Sequence, residues 1–324
     1  MRPQQPILAA AVAALAILAS PAAATAHADL PDVIEARAAG LHPEGIAYDP
    51  GRGAFLVSSV RHGTVSVVDA DGTTTTLVDD PDLTSTFGLG VDRRRGLVLV
   101  TDGDLGMSER TSPETVQRTA GLGVYDLATG ERVDYIDLDA LAPDAEAHAA
   151  NDVAIAPDGT AYVTDTLAGL VYEVEPDGDA SVLVEDPALA APGGFGANGI
   201  VYRGGKLVIG NYGDGSLWTV DVDDPDTVER VATDADLTGV DGLTWDGRTL
   251  VAVTNTLGGD GANAVHRLRL DRDLDEADEL AVQAAPEQAT TAAAAGCAVY
   301  TVYGNLSALL SGAGTSDEFT IRRY

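Results

Sequence analysis

The chain has one cysteine, Cys297, and one lysine, Lys206, in 324 residues. A single thiol excludes an intramolecular disulfide and any zinc or iron–sulfur site built on several cysteines. Aromatic residues make up only 5%, so Val, Leu, Ile and Ala must fill the core. Positive charge is scarce: 19 Lys and Arg stand against 51 Asp and Glu, a formal net charge of −32. That field opposes a nucleic-acid backbone or an anionic membrane as partner and favours cations. It also argues against a phosphatase, which needs clustered Lys and Arg for its substrate. After residue 28 no apolar run approaches the roughly 20 residues of a membrane-spanning helix.

The one long apolar run lies at the start. Ile7 to Ala19 is unbroken, Arg2 precedes it, and Ala26-His27-Ala28 offers a small-x-small cleavage site. Residues 1–28 therefore read as a secretory signal peptide. The expectation is a single domain over 29–324, exported (extracellular or periplasmic), soluble and monomeric.

What remains is a repeat. Five segments align: Glu44-GIAYDPGRGAFLVSSV, Phe87-GLGVDRRRGLVLVTDG, Asn151-DVAIAPDGTAYVTDT, Asn198-GIVYRGGKLVIGNY and Asp241-GLTWDGRTLVAVTN. Each is a short apolar strand, a Gly-containing turn and a second strand, the pattern of tight β-hairpins. Third and fourth strands follow, as in TVSVVDADG and TTTTLVDD. A sixth, degenerate copy runs TTAAAAGCAVYTVYG, with Thr290 in the leading position. Within it Cys297 reads as a core residue on a strand. Six repeats of about 49 residues, each a small antiparallel sheet, predict an all-β fold: a six-bladed β-propeller with four-stranded blades. The last copy is one strand short, and DVIEARAAG near the N-terminus supplies a strand to close the ring. A polar stretch, DLGMSERTSPETVQRTAG, lengthens the second repeat; its part from Met107 to Ala120 is expected to overhang one face.

In a propeller the first residue of each repeat falls near the axis at one mouth of the channel. Here that ring reads Glu44, Phe87, Asn151, Asn198, Asp241 and Thr290. Two carboxylates and two carboxamides converging on an axis suit a hard cation such as Ca²⁺, which takes six to eight oxygens, charged and neutral. Mg²⁺ and Mn²⁺ accept similar donors. No histidine stands in the ring, which argues against zinc. Asp165, Asn211 and Asn255, which follow the second strand of three repeats, either brace the ring or end their strands.

With these motifs the sequence resembles the regucalcin/gluconolactonase family of six-bladed propellers and, more distantly, the paraoxonases. The matching stretches are Pro43-Glu44-Gly45, Asn151-Asp152, Ala197-Asn198-Gly199-Ile200 and Val240-Asp241-Gly242-Leu243. The resemblance implies an axial divalent ion, calcium foremost, held by Glu44, Asn198 and Asp241, with Asn151 as fourth ligand or substrate contact. It implies hydrolysis of a small-molecule lactone or related ester, with Asp241, or alternatively Glu44, accepting the proton of the attacking water. Ala149 stands where many sugar-lactone members carry Arg, and Phe87 where paraoxonases carry His, so a more apolar mouth is expected. Phe87, Asn151 and His148 are the expected substrate contacts, with His148 and His42 at the rim. A non-catalytic extracellular binding module with a structural metal is the alternative.

Overall fold

The computed structural model describes residues 30–191 and 194–324; the expected signal peptide lies outside the described residues. The described chain is almost all strand. A first strand, β1 (Val33–Arg37), precedes a meander of β2 (Ile46–Asp49), β3 (Ala54–Ser58), β4 (Thr64–Val68) and β5 (Thr74–Asp79). Next come β6 (Ser85–Asp92), β7 (Leu97–Gly103), β8 (Arg118–Asp126) and β9 (Arg132–Asp137), then β10 (His148–Ile155), β11 (Ala161–Asp165), β12 (Leu170–Val174) and β13 (Ala180–Glu185). Two further meanders are β14 (Ala197–Arg203), β15 (Lys206–Asn211), β16 (Leu217–Asp221), β17 (Asp224–Arg230) and β18 (Val240–Asp246), β19 (Thr249–Thr254), β20 (Ala264–Leu270), β21 (Ala277–Ala284). The last strands are β22 (Ala292–Ala295), β23 (Ala298–Tyr303) and β24 (Glu318–Arg323), with a short helix α1 (Leu306–Leu310) before β24.

Antiparallel pairing in chain order builds four-stranded sheets from β2–β5, β14–β17 and β18–β21. In a fourth, β1 adds to β24 along all five of its residues, from Val33 opposite Arg322 to Arg37 opposite Glu318. The strands β6–β13 form one eight-stranded sheet. It consists of two antiparallel meanders joined where His148 and Ala149 of β10 lie parallel to Arg118 and Thr119 of β8. The inner strands β2, β6, β10, β14, β18 and β22 pack in succession, and β22 returns to β2. The arrangement is propeller-like.

Burial follows from that arrangement. The first two strands of each meander have a sheet on each side, so both of their faces are covered and alternation disappears. All five residues of β3 are buried. Phe55 packs with Ile34 and Tyr300 of the last sheet, while its neighbour Leu56 packs with Val98 and Tyr125 of the next one. The outermost strands meet water: β21 is exposed at seven of its eight positions.

Close approach of the inner strands explains the Gly that follows most ring residues. A Cβ on Gly45 would lie 2.0 Å from the Phe87 carbonyl oxygen, and one on Gly242 2.1 Å from Thr291 Oγ1. Two expectations need correction. Cys297 is exposed rather than in the core, because Ala295 pairs with Ala298 and leaves Gly296 and Cys297 as the hairpin turn. The helix α1 was not anticipated; five residues are too few to display a helical period.

Gly45→Ala should destabilise the protein by about 1–3 kcal/mol, since the rigid backbone of the adjacent strand cannot yield. A lowered thermal midpoint measures this; an unchanged midpoint would contradict the packing described.

Candidate metal centre and ligand cavity

The structure brings all six leading residues together. Glu44, Phe87, Asn151, Asn198, Asp241 and Thr290 line one cavity of about 80 Å³. Strand irregularity aims them. Pairing registers shift between Thr86 and Leu89, Ala150 and Val153, Ala197 and Ile200, and Val240 and Gly242. Phe87, Asn151, Asn198 and Asp241 each fall within such a break. A bulge re-aims a side chain that regular pleating would direct elsewhere.

Asp241 is tightly braced. Its Oδ2 accepts a 2.6 Å hydrogen bond from Asn255 Nδ2, and Asn198 donates to it as well. Asn255 is fixed in turn: Nδ2 donates to the Ala289 carbonyl at 2.9 Å, and Oδ1 accepts from Tyr212 at 2.7 Å. The Gly258 amide donates to the same Tyr212 hydroxyl at 2.7 Å. Glu44 is held only through its backbone, whose carbonyl accepts from Thr290 Oγ1 and whose amide donates to Ser58 Oγ. Among the described residues, the Glu44 carboxylate and the Asn151 carboxamide make no side-chain hydrogen bond.

Electrostatics follow from burial. Glu44 is pushed well above its ordinary pKa by desolvation, then by repulsion from Asp241 and Asp152. Asp241 is raised to about 7 by burial, against the opposing bonds from Asn255 and Asn198. Asp152 is also raised to about 7, again by burial. It is a third axial carboxylate that sequence reasoning did not single out. A signal existed: it stands where the aligned repeats carry Gly45, Gly88, Gly199 and Gly242. Its Oδ1 accepts from the Val153 amide at 2.8 Å, and the side chain borders a second cavity of about 350 Å³.

Above the ring the wall is apolar. Val60, Leu105, Met107, Phe195, Leu257 and Leu306 contribute to it. Leu105 and Met107 come from the inserted stretch, which therefore overhangs this face. Asp104 fixes that stretch by accepting from Thr111 and Thr115 hydroxyls, both at 2.7 Å. Arg110 anchors it to the carbonyls of Asp80 and Leu83 at 2.6 and 2.8 Å.

The rim histidines lie elsewhere. His148 is not among the cavity-lining residues. It is buried, with Nδ1 2.8 Å from Asp165 Oδ2 and Nε2 3.1 Å from the Ala142 carbonyl, so the expected substrate contact is corrected to a structural pairing. His42 spans Gly304 and Ser316 in the same manner. Of the three candidate bracing residues, Asn255 alone reaches the ring. Asp165 holds His148 and the Ala149 amide, and Asn211 holds the carbonyls of Ala188 and Ala190.

No protein-family profile matches the chain, and no curated protein matches it in sequence. Solved structures do match. The major allergen Mala s 1 of Malassezia sympodialis is 17% identical, with a TM-score of 0.72 over 91% of this chain and 96% of its own. A calcium-binding protein, regucalcin, from Agrobacterium tumefaciens is 18% identical, with a TM-score of 0.58 over 88% and 92%. A gluconolactonase from Xanthomonas campestris is 15% identical, with a TM-score of 0.58 over 89% and 88%. At these identities the likeness shows the fold: this chain has the architecture of the gluconolactonase- and regucalcin-type propellers.

The donor set fits the hard cation that the resemblance implies. Two carboxylates and two carboxamides border the cavity, no Lys, Arg or His lines it, and two of the four side chains lack a protein partner. No cluster of three or more His, Cys, Asp or Glu that could hold a metal occurs among the described residues, so amide oxygens must complete the set.

The pH dependence has a definite sign. Asp241 and Asp152 titrate near 7 when folded and near 4 when unfolded. Their contribution favours the folded state below about pH 4 and is lost as pH rises through 7. A cation competes with the same protons. Added CaCl₂ should therefore raise the thermal midpoint of EDTA-stripped protein more at pH 8 than at pH 5. Equal shifts at both pH values would contradict the assignment.

Proposed function

We propose that the chain is an exported, monomeric, six-bladed propeller that hydrolyses a lactone or related ester with a divalent cation, calcium, on its axis. The observation that carries this reading is the convergence of Glu44, Asn151, Asn198 and Asp241 on one cavity with no cationic side chain to balance the carboxylates. The succession of inner strands supports six blades, with the eight-stranded sheet counted as two and β1 completing the last. The gluconolactonase and regucalcin structures share the architecture and support the reading at the level of fold.

Glu44, Asn198 and Asp241 would hold the ion, with Asn151 as fourth ligand or substrate contact. When bound, the cation supplies carbonyl polarisation and a lowered pKa for water. The protein's own groups supply the rest. Asn255 and Asn198 fix the orientation of the Asp241 carboxylate, the first candidate for accepting a proton from water. A proton taken up there is well held, because burial favours the neutral acid. Glu44 is the other candidate; among the described residues its carboxylate accepts no hydrogen bond. Phe87 and the apolar wall exclude bulk water, which strengthens every charge interaction below them.

The absence of histidine from the cavity lining favours a second reading, a binding module that keeps the ion to hold a ligand. The two separate on one experiment, a screen of lactones followed by proton release. Wild type should turn over at least one lactone, and Asp241→Asn and Glu44→Gln should lower kcat by about 10²–10⁴-fold with the fold retained. Wild-type rates in both variants would overturn the site. Ligand binding without turnover would transfer the assignment to the module.

A further inference from the structure

The inner strands run away from the axial ring, so their first hairpin turns surround the opposite mouth of the channel. There they enclose the cavity of about 350 Å³, to which all six contribute. Five of them, β2, β6, β14, β18 and β22, end their sheets. Each therefore turns one edge of unpaired backbone N–H and C=O groups towards the channel. Asp152 adds a carboxylate at the inner end. The lining is thus rich in hydrogen-bonding groups that require partners, and the volume lies within the range of small-molecule sites.

Charge at this mouth departs from that of the rest of the chain. Seven of the 19 Lys and Arg fall in the six turns, against four Asp. Some are neutralised: Arg52 pairs with Asp49, and Arg95 with Asp92. Arg203 and Arg248 are not. Among the described residues neither meets a carboxylate, and Asp246, two residues before Arg248, is taken by Arg267 at 2.8 Å. The Arg203 guanidinium donates to the Gly247 carbonyl and lies 3.4 Å from the centre of the Trp245 ring, which lines the cavity. Burial, and then the charge of Arg248, lower the pKa of Arg203, as befits two cations without a counter-ion. The Trp245 Nε1 donor is buried and has no acceptor among the described residues. Further out, the turns between third and fourth strands carry Asp71, Asp177, Asp179 and Asp273. An extended acidic partner would meet that belt, and a polyvalent anion would also face Asp152. A small monovalent anion avoids both.

We propose that this mouth binds a small hydroxylated carboxylate, a sugar acid in chemical class, with its carboxylate at Arg203 and Arg248 and its hydroxyls on the free strand edges. The site is separate from the axial ring and does not depend on hydrolysis there. Three probes of one ring size test it by calorimetry: glucuronate, methyl glucoside, which lacks the charge, and cyclohexanecarboxylate, which lacks the hydroxyls. Each is titrated into calcium-loaded protein and again after EDTA. Glucuronate should bind at least about 10-fold more tightly than either of the others, with or without calcium, and less tightly as salt is added. Arg248→Gln, at an exposed position, should weaken it by about 10-fold. Ala294→Phe, at an exposed position lining the cavity, should abolish binding by filling the entrance while leaving both cations in place. Lactone hydrolysis should be unchanged in both variants. Glucuronate binding no tighter than that of either comparison probe, or untouched in both variants, would overturn the site. Affinity lost with EDTA would assign the binding to the axial ion and overturn it equally.

Discussion

Two buried carboxylates with no positive group beside them set the terms for the rest of this protein. Glu44 and Asp241 face one cavity, and each is raised in pKa by burial. Charge placed there must be neutralised by a proton or by a cation, because desolvated like charges repel. The surrounding structure acts to keep them in place. Asn255 fixes Asp241, Tyr212 fixes Asn255, and the Gly258 amide fixes Tyr212. Strand bulges direct the side chains inward, and glycines let the inner strands approach closely enough to bring the ring together. In four of the innermost strand pairs the irregularity falls where regular pairing would have turned these groups away from the axis.

The architecture could be read in the sequence because each sheet repeats one signal: apolar strand, Gly-bearing turn, apolar strand. The position of the ring could be read for the same reason. Five aligned copies identify a common place, and the residues at that place are the ones that meet in the cavity. Even the N-terminal strand was accessible, since the last copy lacked a partner that VIEAR could provide. Cys297 was misjudged because it was read as part of the strand AVYTVY, whereas the pairing of Ala295 with Ala298 leaves it in the turn. His148 was misjudged because spacing from Asn151 gives proximity in the chain but not direction. The carboxylate of Asp165, on β11 opposite Ala150, holds the imidazole by a 2.8 Å contact instead. Asp152 was passed over although it breaks a glycine pattern; it borders a separate cavity yet repels Glu44 from another repeat, a relation no single repeat displays.

The apolar wall has a different origin from the ring. Leu105 and Met107 belong to an insertion in one repeat, Leu306 to a short helix after β23, and Phe195 and Leu257 to connections on the same face. These segments lie outside the repeating unit, so they can vary without disturbing the sheets. The fold is thus what this chain has in common with its structural neighbours, while the apolar wall is built by segments outside the repeating unit. That division is why likeness of fold does not by itself transfer a substrate.

The central claim is that the ring of oxygen-bearing side chains exists to hold a divalent cation. Calorimetric titration of EDTA-stripped, dialysed protein with CaCl₂ at pH 8 tests it most directly, with Asp241→Ala titrated in parallel. The account predicts one ion bound per wild-type chain and none on the axis of the variant. No binding heat at any temperature in wild type, or identical isotherms for the two proteins, would contradict it.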